Sequence, residues 1–131
     1  MIETTFNDEE LQNLSKLELY NLIKKLNNYI EYYNSNYKQC EYNESEAKRK
    51  CEKQTKVINQ LKDSLEQTCV FEPTNLSLIG KIKFNIFEEE MKLEKLCLNY
   101  EKIHQQNQGD AQNYYIHDNL LNNALIKFGS K

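Results

Sequence analysis

Side chains able to do acid–base, nucleophilic or metal chemistry are few in this chain and stand apart: His104 and His117, the cysteines Cys40, Cys51, Cys69 and Cys97, and the carboxylate run Glu88-Glu89-Glu90. A general base needs a nucleophile within hydrogen-bond reach, and neither histidine has a plausible Cys or Ser nucleophile beside it in sequence. Helical spacing puts Cys97 two turns from His104, which is no zinc-ligand pattern. The cysteines follow one another at intervals of 11, 18 and 28 residues, matching neither a metal nor a redox motif. They read as small apolar side chains, kept as thiols in a reducing compartment. Glu88 to Glu90 fall in the first turn of an expected helix, where negative charge complements the macrodipole. Gly80, Gly109 and Gly129 are isolated, so no phosphate-cradling loop is expected. The chain does not read as an enzyme, and no catalytic residue, metal or cofactor is expected.

Two groups of residues fit binding better than catalysis. Lys48, Arg49, Lys50, Lys53 and Lys56 project positive charge along about two helical turns, with Glu52 among them, and form a basic patch able to touch phosphate or an acidic partner. Charges off a helical seam are more commonly a solvated face, and the net charge of −3 supplies no global field for nucleic acid or an anionic membrane. Tyr29, Tyr32, Tyr33, Tyr37 and Tyr42 crowd one helix, as stacking platforms for single-stranded nucleic acid do. Packing accounts for Tyr33 and Tyr37 first, because they lie on the seam described next. Tyr29, Tyr32 and Tyr42 suit a protein-binding face.

The element that must position these groups is a long helix. One heptad set reads Ile23, Ile30, Tyr37, Glu44, Cys51, Ile58, Leu65, and the set before it reads Leu19, Leu26, Tyr33, Cys40, Ala47, Gln54, Leu61. Only Glu44 and Gln54 interrupt this seam. Seven heptads carry about 70 Å of helix, too long for a compact domain of 131 residues to hide, so the stripe needs a second helix. β-branched Ile at one position and Leu at the other favour two parallel strands, formed with itself or with a related coiled-coil chain. The dimerisation seam is then Leu19, Ile23, Leu26, Ile30, Tyr33, Tyr37, Cys40, Ala47, Cys51, Ile58, Leu61 and Leu65. It weakens between Cys40 and Gln54, where polar residues set register at a cost in stability.

Asn7 with Glu10, and Ser15 with Glu18, mark two successive helix starts, and a short helical turn before a helix opening at Ser15 is the preferred arrangement. Beyond the rod, Cys69-Val70-Phe71, a turn at Glu72-Pro73-Thr74-Asn75 and alternation of Leu76, Leu78, Gly80, Ile82 and Phe84 predict a β-hairpin over 68–84. A helix-period set, Ile79, Ile82 and Ile86, competes with it. Asn85-Ile86-Phe87-Glu88 predicts a helix over 86–107, ended by Gln108-Gly109, and Asp110 caps a last helix over 111–128. The expected fold class is mainly α: a long parallel two-stranded coiled coil followed by a small α+β head. The expected domains are a cap and rod over 1–67 and a head over 68–131. Phe84, Phe87, Met91, Leu98, Leu121, Leu125 and Phe128 form the head core or bind a further protein.

With 39% apolar and 28% charged residues, one Pro and three Gly, little interrupts helices. No apolar run is long enough for a transmembrane span, and the first six residues lack the basic start and apolar core of a secretory signal, so a cytoplasmic or nuclear protein is expected. The expected role is a non-enzymatic coiled-coil dimerisation and scaffold or adaptor subunit of a larger assembly, of the tethering, cytoskeletal or chromosome-associated kind. The order long helix, hairpin, helix also resembles the β-type prefoldin subunits, in which hairpins assemble a barrel and antiparallel coiled coils hang as tentacles. That resemblance implies a chaperone subunit whose second helix brings Leu96 back against its own rod. The break expected at Gly109 leaves the second helix too short to cover the first completely. A nucleic-acid-binding dimer using Lys48 to Lys56 is the third expectation.

Overall fold

Both predicted helix starts form in the computed structural model, which describes residues 6–131; the reading of residues 1–5 lies outside the described residues. The Asn7 side chain accepts from the Glu10 backbone N–H at 2.8 Å and opens α1 (Asp8–Asn13). Ser15 and Glu18 then cap each other. The Glu18 N–H donates to Ser15 Oγ at 3.1 Å, and the Ser15 N–H donates to Glu18 Oε1 at 3.2 Å, opening α2 (Lys16–Phe71). The Asn75 N–H donates to the Glu72 carbonyl at 3.0 Å, closing a turn with Pro73 at its second position. Asn75 Oδ1 accepts from the Leu78 N–H at 3.2 Å, and α3 (Leu76–Gly129) runs from there.

The chain is mainly α, and no strand occurs among the described residues. This corrects the β-hairpin expected over 68–84. The Pro73 turn forms as read, but Cys69-Val70-Phe71 completes α2 and Leu76 to Phe84 begins α3. Both periods are written in that stretch, and burial decides between them. In the helical set Ile79 and Ile82 are half-buried and Ile86 buried, while in the alternating set Leu76 and Phe84 stay exposed and Leu78 and the shared Ile82 are half-buried. A helix also satisfies its own backbone, whereas an isolated two-stranded hairpin is marginal in water.

The expected helix starts at Asn85 and Asp110 are corrected as well: both residues lie inside α3, as does Gly109. No glycine among the described residues takes a positive φ, so Gly109 does not act as a helix-ending cap. Its helical conformation costs about 0.5–1 kcal/mol relative to Ala. The Asn107–Cys40 bond on one side and the Tyr114–Tyr33 stack on the other hold α3 on α2 around it.

The chain divides into two compact units. The first contains the described part of residues 1–41 together with residues 106–131. Its core is Leu11 of α1, Leu19, Leu22 and Leu26 of α2, and Leu120, Leu121 and Ala124 of α3, with Phe6, Leu14, Ile23, Ile30 and Phe128 packed around it. Leu11, Leu19 and Leu26 are fully buried, each contributing about 1.5–3 kcal/mol relative to an exposed side chain. The second unit is residues 42–105, where Ala47, Ile58 and Ile86 are buried.

In each unit the segments of α2 and α3 run antiparallel. Tyr33 meets Tyr114 and Cys40 meets Asn107 in the first unit; Glu44 meets His104 and Gln54 meets Glu89 in the second. The seam of α2 thus packs on α3 of its own chain. This corrects the expectation that Leu19, Leu26 and Ile58 need a parallel second strand. The heptad spacing demands a partner helix but carries no information on whether that helix comes from another molecule.

Candidate interaction surface

Cross-helix polar pairs set the register of α3 on α2, and they form where the seam is interrupted. In the second unit, Gln54 Nε2 donates to the Glu89 backbone carbonyl at 3.0 Å and also to its carboxylate. The bond from Gln54, followed by one from Lys92, holds the Glu89 carboxyl below the usual carboxylate range. Glu44 Oε1 stands 2.6 Å from His104 Nδ1, which carries the proton when Glu44 is ionised. His104 stacks on Tyr100. In the first unit, Asn107 Nδ2 donates to the Cys40 carbonyl at 3.0 Å. One-residue slippage would break every one of these bonds, which gives the polar seam positions their role.

The fixed register decides which face of α3 looks outward. In the second unit Ile79, Ile82, Ile86 and Leu93 turn toward α2, while Leu76, Phe84, Phe87, Met91 and Leu98 remain 49–75% exposed. At about 100° per residue those five occupy an arc of about 80°, centred about 130° round the helix from the buried face. Such side chains expose on the order of 100 Å² each, and so about 500 Å² together. That lies at the upper end for a patch on a monomer and approaches the roughly 800 Å² per partner of a standard interface. Glu88, Lys95 and Lys102 flank the stripe on one side, and Lys83, Glu90 and Glu101 on the other. Both flanks carry both signs, as at the edges of a helix–helix seam.

The remaining predicted residues fall as follows. Leu121 is buried and Phe128 half-buried in the core of the first unit, and Leu125 is exposed there. Leu121 and Phe128 are therefore core, whereas Phe84, Phe87, Met91 and Leu98 are surface. Tyr33 stacks between Tyr37 and Tyr114, and Tyr29 stacks on His117, so Tyr29 and Tyr33 pack, whereas Tyr37, expected on the seam, is exposed. Burial first, and then Asp110 for Tyr29 and Tyr115 and Asp110 for Tyr33, push the two hydroxyls above the usual tyrosine range. Tyr32 and Tyr42 are exposed.

Lys48, Arg49, Lys50, Lys53 and Lys56 are exposed on α2. Arg49 is engaged by Glu46 at 3.0 Å, an exposed pair worth little in stability but enough to subtract from a phosphate-binding field. His104 and His117 belong to different units. Among the described residues, no three His, Cys, Asp or Glu side chains gather as a metal site would require. No described helix is long and apolar enough to cross a membrane.

Two features escaped the sequence reading. The His117 ring is 2% exposed, with Nδ1 donating to the Asn113 carbonyl and Nε2 without a partner. Cys51 and Cys97 fall opposite each other in the second unit, one heptad along from the Glu44–His104 pair, where burial and then the Cys97 thiol push the Cys51 thiol up. Both depend on the antiparallel register, which no local spacing announces.

No family model, curated protein or solved structure matches this chain.

Proposed function

We propose that this protein is a non-enzymatic helical scaffold or adaptor subunit that docks an amphipathic helix of another protein chain on the outer stripe of α3. The carrying observation is the exposed arc of Leu76, Phe84, Phe87, Met91 and Leu98, on a helix whose opposite face is already packed on α2. Its 3–4 spacing presents knobs that a facing helix can accept, and its mixed-sign flanks select orientation. The mechanism is geometric. Cross-helix hydrogen bonds hold α3 in one register, and α3 offers a rigid apolar strip to its partner. Assembly then follows from burial of that strip, within the tethering, cytoskeletal or chromosome-associated classes of complex.

The second reading is the chaperone one, favoured by the antiparallel return of α3 along α2. It needs a different assembly device from the prefoldin barrel, because residues 68–84 are helical. A nucleic-acid role for Lys48 to Lys56 rests on charge alone.

The test compares wild-type protein with the Phe84→Asp/Phe87→Asp variant by sedimentation and light scattering, alone and in the assembly purified from its source. Unchanged helicity and melting with loss of association is the expected result. Association that survives both substitutions would remove the stripe from the interface.

A further inference from the structure

The cysteine pair of the second unit carries an inference independent of the stripe. Cys51 of α2 and Cys97 of α3 are free and partly accessible, and each lies one heptad from the Glu44–His104 pair on its own helix, which sets them opposite each other in the antiparallel register. Their alignment is held from both sides. Gln54, one turn along α2 from Cys51, is bonded to Glu89, and Glu44, two turns the other way, is bonded to His104. Cys97 also lines an open groove of about 430 Å³, together with Ile58, Asn59, Lys62, Glu90 and Leu93, so a small molecule in solvent can reach its sulfur. Facing positions on two packed antiparallel helices are where a disulfide can form, since the bond needs Cα atoms within about 7 Å of each other.

We propose that Cys51 and Cys97 are a dithiol modification site, oxidised by a small-molecule disulfide such as glutathione disulfide to an intrachain bond that staples α2 to α3. The Cys97 thiolate attacks one sulfur of the oxidant, whose S–S bond breaks. A Cys97 mixed disulfide forms, and the first small thiolate leaves. The Cys51 thiolate then attacks the Cys97 sulfur and expels the second. The two cysteines lose two electrons to the oxidant, and their two protons end on the two released thiols. Cys97 acts first because it faces the groove. Burial, and then the Cys97 thiol, push the Cys51 thiol up, which suits it to the second, intramolecular step.

The full chain is incubated with glutathione disulfide, quenched in acid, alkylated and peptide-mapped. The expected product is a Cys51–Cys97 linked peptide from a chain that stays monomeric on non-reducing electrophoresis, with a melting temperature raised by about 10 °C. Cys51→Ser should trap glutathione on Cys97. Glutathione addition at Cys51 in Cys97→Ser should run about tenfold slower than addition at Cys97 in Cys51→Ser, and circular dichroism verifies that both variants fold. Glutathione persisting on wild-type Cys97 without closure, linkage of either residue to Cys40 or Cys69 instead, or a lowered melting temperature on closure would each overturn the proposal.

Discussion

The His117 ring shows how a buried polar group can be tolerated without being needed. Stacking on Tyr29, with ring centroids 4.0 Å apart, gives it apolar contact, while Nε2 faces no partner. Leaving such a group unsatisfied costs about 1–3 kcal/mol. The Asn113 carbonyl that receives the ring proton is also the helical acceptor for the His117 backbone N–H, four residues on. His117→Phe should therefore keep the stack, lose no essential bond, and raise stability by about 1 kcal/mol in urea titrations. A loss instead would mean that Nε2 holds something. Gln54 presents the opposite case. Its bond keeps the Glu89 carboxyl below the ordinary value of about 4.5, so the folded state binds the proton less readily than the unfolded chain. The resulting stability is present above that value and lost as pH falls through the lower folded one. Gln54→Leu should flatten the fall in melting temperature below about pH 4.5. Glu44 and Gln54 were legible as interruptions of the seam. Their partners His104 and Glu89 were not, because pairing residues 60 and 35 positions apart requires knowing where the chain turns.

Among the elements, α3 departs furthest from expectation. Its sequence carries the marks of three pieces: alternation before Phe84, a capping box at Asn85, and Gly109-Asp110. Each mark is a weak local preference of about 1 kcal/mol or less, and continuous packing against α2 outweighs all three. By contrast, Asn7, Ser15 and Pro73 were legible, because a cap that precedes an apolar stripe, or a Pro that forbids helix, agrees with the packing that follows. The glycines left inside α3 give a direct check. A Cβ added at Gly80 or Gly109 meets nothing within 4 Å, so neither position needs a bare backbone for packing. Gly80→Ala and Gly109→Ala should each stabilise the protein by about 0.5–1 kcal/mol, with additive shifts in melting temperature. Destabilisation at Gly109 would show that the helix is strained there.

For the whole molecule, the central point is that in each unit α3 of the same chain covers the seam of α2, and the proposed function accordingly uses the outer stripe of α3 and not the seam. Heptads predicted that the ridge must be covered and left the source of the cover open, since an antiparallel return and a parallel neighbour impose nearly the same spacing. The most direct measurement mixes unlabelled and nitrogen-15-labelled chains, renatures them together, and couples carboxylates to amines with a zero-length carbodiimide. Lys62 Nζ and a Glu90 carboxylate oxygen are 3.8 Å apart and exposed. The expected result is a Lys62–Glu90 cross-link in which both peptides carry the same isotope. A mixed-isotope Lys62–Glu90 peptide at the statistical half would show that the covering helix comes from a second chain, and would contradict the fold described.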